Sequence, residues 1–416
     1  MTVPAPPVGS LSTREATAAP QRLLSLDVVR VVTLFGVVAV HAVSVTVTAE
    51  SVAGGAFLSV AHVTRSVFIG LSGFVLAYRA GPEPMRARAF WRRRYPLVVA
   101  PYVAWTAIYV VADGSWGTPL GLIGRFVIDV TDGGARYHLY FLLLTFQLYA
   151  VYPWALAAIR RANPWRLLMG SVTLQLLFTA GTRWWTDAPG VLGTILSHPG
   201  SWLWSYQCYV VAGVLAAVHH ESVTAWVAAH TRLIVMATVT AMAGGLGSYF
   251  LQVELFSTGT ATASEVFQPS VTVVALVAMV ALLAFGVSRE RRSSPRCSAV
   301  VRSMSESSFG VYLAHPLVLQ GVVSAAGAAG VTAALSGAPA VWQLALVVVA
   351  LVPLTYAATT VAVSVARRTP FSLVLTGRRA RHAAPALALP IPNEPQGAFH
   401  GFDLSRLAAP RAQTPG

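Results

Sequence analysis

Three ionisable residues lie within the first long apolar run of the chain, residues 23–48: Asp27, Arg30 and His41. A charged side chain at membrane depth costs about 2.5–3.5 kcal/mol on insertion scales, so such residues are functional candidates by default. Arg30 and His41 are 11 positions apart (41 − 30). This is almost three helical turns, so both side chains leave one helix face, roughly 16 Å apart along the axis. Asp27 and Arg30 are three positions apart and can form an ion pair.

These residue types suggest a chemistry in two parts. The planar guanidinium of Arg30 suits phosphate groups, and the imidazole of His41, which titrates near neutral pH, suits a general base. A cofactor with phosphates at one end and a reactive group on a long arm would span the gap, and acyl-CoA has this form. In the structural alternative, Asp27 and Arg30 only anchor the helix at the interface, and His41 is a hydrogen-bonding residue within the bundle.

Arg65 favours the functional interpretation. It lies well inside the second apolar run, residues 57–80, at the depth expected for His41 and too far from either end to reach water easily. The sequence therefore predicts one polar pocket between the first two helices. Three consecutive arginines, Arg92, Arg93 and Arg94, follow in the next connector. They would either bind phosphates or only anchor the chain on one side of the membrane.

Composition indicates which elements position these residues. Hydrophobic residues make up 55% of the 416 residues and charged residues 11%, against about 25% charged residues in soluble domains. The basic residues are all arginines, placed mostly in short connectors, so the net charge of +14 does not indicate a nucleic-acid-binding face. The two cysteines form no metal-ligand cluster, and no metal is predicted.

A helix crosses the hydrocarbon core with about 20 apolar residues. The sequence therefore predicts an all-α, polytopic integral membrane protein with about ten transmembrane helices, of which the fifth is the weakest, near residues 23–48, 57–80, 95–112, 137–159, 167–181, 202–218, 233–251, 271–287, 309–329 and 341–365.

Arginines concentrate in alternate connectors, which sets the predicted orientation. They cluster within residues 79–94, 160–166, 289–302 and 367–381, whereas residues 49–56 and 252–269 have none. The positive-inside rule then places both termini in the cytoplasm. We expect a disordered tail over residues 1–22, a transmembrane domain over 23–368 and a second disordered tail over 369–416. The preference for Arg over Lys, with abundant Ala, Val and Gly, suggests a bacterial genome of high GC content, and for such a multi-pass protein we expect the bacterial plasma membrane.

Several segments together resemble the acyltransferase-3 family of bacterial membrane acyltransferases. The resemblance runs in order over about residues 24–365. It rests on these segments: Leu26-Asp27-Val28-Val29-Arg30 followed by ten residues and then His41, Phe68-Ile69-Gly70-Leu71-Ser72-Gly73-Phe74, Phe90-Trp91-Arg92-Arg93-Arg94-Tyr95-Pro96, His138-Leu139-Tyr140-Phe141-Leu142, and Ser307-Ser308-Phe309-Gly310-Val311-Tyr312-Leu313-Ala314-His315-Pro316.

The resemblance implies a ten-helix fold and transfer of an acyl group, usually acetyl, from acyl-CoA to a hydroxyl. The implied acceptors are carbohydrates, glycolipids or macrolides. It also implies that Arg30 and His41 are essential. The family commonly has Arg-x-x-Arg in the basic connector, whereas here Leu97 follows Arg94 at that spacing. Arg92, Arg93 or Arg88 would substitute, or phosphates would be bound differently.

The expected mechanism has His41 as the base that deprotonates the acceptor hydroxyl, with a covalent acyl-histidine as the alternative. Arg30 and the three consecutive arginines would hold the CoA phosphates, with Asp27 orienting Arg30. Arg65 would stabilise the oxyanion or bind an acidic acceptor.

Two further histidines, His138 and His315, are predicted to be interfacial hydrogen-bonding residues rather than catalysts. The rival function is a secondary transporter or flippase, although no paired Gly/Pro-broken helices mark two corresponding halves. A scaffold without chemistry is the third alternative, and it poorly explains three ionisable residues in one helical hairpin.

Overall fold

The computed structural model describes residues 21–47, 50–114, 117–185, 189–190, 193, 196, 199–331, 333 and 337–379. All regular elements in these ranges are helical. The described residues all belong to one compact unit. The α-helices are α1 (Leu24–Thr46), α2 (Val52–Ala61), α3 (Val63–Ala80), α4 (Ala87–Arg94), α5 (Pro96–Asp113), α6 (Pro119–Asp132), α7 (Tyr140–Arg161), α8 (Pro164–Trp184), α9 (Gln207–Val218), α10 (His220–Ala229), α11 (Thr231–Phe250), α12 (Thr260–Ala263), α13 (Pro269–Arg292), α14 (Pro295–Ala328), α15 (Ala340–Leu346), α16 (Val352–Ala366) and α17 (Ser372–Thr376).

Eight helical segments in the described ranges are long and apolar enough to cross a membrane. The bent pair α9 and α10 raises this number to nine if it forms one broken span. The chain is thus a multi-pass, all-helical membrane protein, while the predicted number of ten spans and the cytoplasmic position of the termini stay predictions. The eight segments are Leu24–Thr46, Val52–Ala80, Ala87–Asp113, Tyr140–Arg161, Thr231–Leu255, Pro269–Arg292, Pro295–Ala328 and Ala340–Ala366.

Two predicted runs are not among these eight, for different physical reasons. The fifth run lies in α8, which is 21 residues long but carries polar side chains on its packed face; Gln175, for example, donates to the Ser205 carbonyl at 2.8 Å. The sixth run coincides with α9, which has only 12 residues before the chain turns by 95° into α10. Length and composition alone therefore do not identify either as a simple span.

The predicted tails are described only in part. Residues 1–20 and 380–416 lie outside the described ranges. The predicted C-terminal tail begins at 369, but the structure shows α17 within it, packed against α5, α14 and α16. The indole of Trp105 donates to the Leu375 carbonyl at 3.0 Å, which fixes this short helix against the bundle.

The first helix lies at the centre of the bundle. It packs against α3, α13, α14 and α16. In its most apolar stretch of 18 residues 56% is buried, against 17% in the corresponding stretch of the peripheral segment Thr231–Leu255. Because most faces of α1 meet other helices, Arg30 and His41 point into the protein rather than into lipid.

A close approach of two helices supports this arrangement. A Cβ added to Gly213 of α9 would overlap with the backbone carbonyl of Gly70 in α3. Only glycine at this crossing lets the two backbones come together, and α3 is thereby held against both α9 and α1. The second helix of the predicted hairpin is thus fixed beside the first.

Candidate active site

His41 opens into a small cavity between α1, α3, α14 and the segment that leads into α7. We call it the histidine cavity. Its volume is about 40 Å³, enough for a few atoms of a reacting group or for water. It is lined by Val37, Val40, His41, His62, Thr64, Arg65, Phe68, Tyr137, His138, Tyr140, Phe141 and Tyr312. His41 and Arg65, predicted to share one pocket, both line it.

His41 makes a direct hydrogen bond to a second histidine. The distance from His41 Nδ1 to His315 Nε2 is 2.7 Å, and the two rings meet edge to edge, with centroids 5.0 Å apart and planes 6° from parallel. His315 is fully buried, and its Nδ1 lies 2.7 Å from the carbonyl oxygen of Tyr312. The two histidines and this carbonyl therefore form one continuous chain of hydrogen bonds.

This chain assigns the protons of both neutral rings. A carbonyl oxygen only accepts, so His315 Nδ1 must carry the hydrogen, and a neutral imidazole has only one. His315 Nε2 is then the acceptor, and His41 Nδ1 must donate to it. The lone pair of His41 is left on Nε2, which is where a general base needs it.

The residue after His315 explains why the Tyr312 carbonyl is available. In a helix this carbonyl would accept from the backbone N–H four residues further on, which is position 316. Pro316 has no N–H, so the carbonyl is free for the imidazole one position earlier. The local sequence Tyr312-Leu313-Ala314-His315-Pro316 thus sets the ring orientation and tautomer of His315.

His138 is the third histidine of the cavity. Its ring centroid lies 5.3 Å from that of His315 and 6.5 Å from that of His41. It is buried, and its ring lies close enough to the Leu313 carbonyl to interact with it, although neither ring nitrogen reaches the geometry of a full hydrogen bond to a described residue. The neighbouring Leu313 carbonyl already accepts from the Tyr109 hydroxyl at 2.7 Å. Both His138 and His315, predicted to lie at an interface, are instead buried beside His41.

Arg65 brings a positive charge to the same cavity. Its guanidinium carbon lies 5.2 Å from the centre of the Tyr140 ring, and Nη1 lies 3.4 Å from the Tyr206 hydroxyl. Among the described residues no carboxylate forms an ion pair with it. Aromatic faces and a hydroxyl hold the charge without neutralising it, so it can meet negative charge on a bound molecule.

Arg30 lines a second cavity, of about 90 Å³, at the other end of the same two helices. We call it the arginine cavity. Because it lies between α1 and α3, as the histidine cavity does, the predicted common face of Arg30 and His41 agrees with the structure. Its lining residues are Gln21, Arg22, Leu23, Leu26, Asp27, Arg30, Val75, Tyr78 and Arg79.

The expected ion pair between Asp27 and Arg30 is absent from the described residues, and this prediction was wrong. The Asp27 carboxylate instead binds Arg22, at 2.6 Å, and accepts from Ser305 Oγ, also at 2.6 Å. Arg22 precedes α1 and folds back onto its first turn, so it reaches the buried carboxylate from outside. The hydrogen bond to Asp27 raises the pKa of the Arg22 guanidinium. Arg22 also pairs with Glu306 at 2.8 Å.

The three consecutive arginines of α4 do not share one environment. Arg92 and Arg93 are exposed, whereas Arg94 is partly buried. Arg94 interacts with the side chain of Tyr149 in α7, and Arg30 is close enough to act electrostatically on the same hydroxyl. The structure therefore brings Arg94 toward Arg30 and leaves the other two at the surface.

Sequence reasoning did not identify His62, Tyr137, Tyr140 or Tyr206 as members of the site. His62 donates from Nδ1 to the Ser264 carbonyl at 2.9 Å. In the sequence, only its position directly before α3 could have indicated it. In the described part of the chain no group of three or more His, Cys, Asp or Glu is placed to hold a metal ion.

A bundle of membrane-length helices around buried histidines and arginines defines a multi-pass membrane protein with an internal polar site. The model of one family, described as an acyltransferase domain, matches residues 23–362. This is most of the chain, and the protein belongs to the acyltransferase-3 family. Neither the curated proteins nor the solved structures gave a significant match.

Proposed function

We propose that this membrane acyltransferase moves an acyl group, in the first instance acetyl, from acyl-CoA to a hydroxyl of a carbohydrate, glycolipid or macrolide acceptor. The observation that carries the proposal is the chain of hydrogen bonds from the Tyr312 carbonyl through His315 to His41. It leaves the Nε2 lone pair of His41 in a cavity that also holds the unpaired charge of Arg65.

In the proposed reaction the acceptor oxygen attacks the thioester carbonyl carbon, and His41 Nε2 takes the hydroxyl proton. The carbonyl oxygen becomes an oxyanion, which Arg65 stabilises. The intermediate collapses with cleavage of the C–S bond, and the CoA thiolate leaves with the proton from His41. In the alternative, Nε2 itself attacks the thioester and the acyl group passes to the acceptor from His41; both routes use the same lone pair.

The donor phosphates would lie at the arginine cavity. Arg30 and Arg94 both act electrostatically on the Tyr149 hydroxyl, and Arg92 and Arg93 are exposed beside Arg94. The distance from Arg30 to His41, roughly 16 Å along the helix, suits a donor whose thioester lies at the end of a long arm. Asp27 acts indirectly by holding Arg22. The arginine distribution favours donor entry from the cytoplasm of a bacterial cell.

The test is CoA release from acetyl-CoA by the purified protein with a panel of glycan, glycolipid and macrolide acceptors. We expect His41→Ala to lower kcat by about 10²- to 10⁴-fold. Arg30→Ala should raise the KM for acetyl-CoA about ten-fold, because a charge-assisted contact to phosphate is lost. His219→Ala, an exposed histidine outside the cavity, is the matched control and should behave as the wild type.

Full activity of His41→Ala would reject the catalytic role. If acetyl-CoA neither binds nor turns over with any acceptor, while the chain moves a polar or lipid-linked compound across vesicles, the transporter alternative replaces this proposal.

A further inference from the structure

A third cavity, separate from the two already described, is an apolar groove of about 320 Å³. It lies among α1, α3, α8, α9, α10 and α13, and none of its lining residues is charged. Those used below are Leu26, Val67, Phe74, Ala216, Trp226 and Met279. A groove of this composition suits a hydrocarbon chain and gives a polar ligand nothing to bind.

The bend between α9 and α10 forms one wall of this groove. Since α10 turns by 95° from α9, it runs across the end of the bundle and packs on α13. Trp226 of α10 faces the groove while remaining 45% exposed. Tyr78 and His220, with ring centroids 5.1 Å apart, connect α3 to the start of α10 at the same end.

The groove continues into the arginine cavity. Leu26 lines both, and Phe74 in the groove contacts Tyr78 in the arginine cavity, with ring centroids 6.1 Å apart. Arg79 follows Tyr78, is exposed and lines the arginine cavity. Among the described residues no carboxylate forms an ion pair with it. The charged groups that act on it are Arg94, Arg22 and, more weakly, Asp27, which itself binds Arg22. The apolar groove thus ends near Arg79, an exposed arginine that forms no ion pair among the described residues.

We propose that this groove and Arg79 form a binding site for an anionic phospholipid, with one acyl chain in the groove and the phosphate at Arg79. Anionic headgroups complement the cations here, whereas the ammonium of a zwitterionic lipid would be repelled by them. Val67 and the groove lie on a different face of α3 from Arg65 and the histidine cavity, so a chain bound here does not reach His41. The acyl-chain part of the site is separate from the histidine cavity, whereas its phosphate end shares the arginine cavity with the proposed donor.

The test is native mass spectrometry of the full chain in a neutral detergent, titrated separately with dioleoyl-phosphatidylglycerol and dioleoyl-phosphatidylcholine. We expect phosphatidylglycerol to be retained preferentially. Arg79→Gln should weaken its binding about ten-fold and leave phosphatidylcholine unchanged. Arg292→Gln is the matched control, because Arg292 is an exposed arginine at the end of α13 outside both cavities.

A second variant tests the groove rather than the charge. Ala216→Trp places a large side chain in the groove and should lower phosphatidylglycerol retention with Arg79 intact; thermal unfolding checks that the variant is folded.

Equal retention of the two lipids, or equal behaviour of Arg79→Gln and Arg292→Gln, would overturn the proposal. Displacement of phosphatidylglycerol by palmitoyl-CoA but not by acetyl-CoA would assign the groove to a donor chain instead. The readout needs no turnover, so it stays decisive if acyl transfer is not observed.

Discussion

The two ends of the cleft between α1 and α3 are built from opposite kinds of contact. At the arginine cavity, charges are held by charges: Asp27 binds Arg22, and Glu306 binds Arg22 at 2.8 Å and lies 3.7 Å from Arg367. At the histidine cavity no acidic side chain lines the wall. There, backbone carbonyls, hydroxyls and aromatic rings orient the polar groups.

This difference fits the two roles proposed above, donor binding at the arginine cavity and proton transfer at the histidine cavity. A carboxylate beside an imidazole favours its protonated form, which could not act as a base. Orientation by the Tyr312 carbonyl fixes a proton on His315 Nδ1 without adding negative charge. Ion pairs, in contrast, suit the arginine cavity. There, Glu306 joins three segments of the chain by binding Arg22 and lying near Arg367.

Substitutions of His315 give the sharpest test of the histidine cavity. His315→Phe keeps the ring volume but removes the acceptor of His41 Nδ1–H, so the tautomer of His41 is no longer fixed. Loss of such an outer partner typically costs about 10- to 100-fold, and we expect this fall in kcat with an unchanged KM for acetyl-CoA. His315→Gln, whose amide oxygen can accept, should recover part of kcat. Equal losses in the two variants would show that His315 only fills space.

At the arginine end, two neighbouring arginines of α4, Arg94 and Arg93, can be compared directly. Arg94→Gln should raise the KM for acetyl-CoA about ten-fold, because Arg94 is the partly buried arginine beside Tyr149 and Arg30. Arg93→Gln removes the same charge from an exposed neighbour and should change KM much less, since exposed charges are screened. Initial rates over a range of acetyl-CoA concentrations measure both. Equal effects would mean that the donor responds only to total charge.

The smallest expected effect concerns stability. Asp27→Asn keeps the shape but removes the negative charge that binds Arg22, and it leaves one acceptor oxygen where Arg22 and Ser305 Oγ now share two. Loss of a buried charge-assisted hydrogen bond costs about 1–3 kcal/mol, so thermal unfolding in detergent should begin at a lower temperature with little change in kcat. Asp132→Asn, an exposed acid at the end of α6, is the control. A large loss of kcat with normal stability would place Asp27 in the chemistry.

The sequence alone was enough to predict a multi-pass helical protein and its family, because both depend on local features. Apolar runs of span length identify helices from composition, and the fixed rise and turn of a helix place Arg30 and His41 on one face whatever packs around them. Even the free carbonyl of Tyr312 follows from Pro316, four positions further on. Two predicted runs stay unconfirmed as simple spans, because α8 is not apolar enough and α9 ends in a bend that run length does not reveal.

Only the tertiary structure decided which distant residues complete the site. His315 lies 274 positions from His41, and no periodicity or spacing links them; they meet because α14 packs on α1. For the same reason Asp27 pairs with Arg22 rather than Arg30, and Arg94 is partly buried while Arg92 and Arg93 are exposed. Helical geometry fixes the direction of a side chain relative to its own axis, but its partners depend on how the helices pack against one another, which is a property of the whole chain.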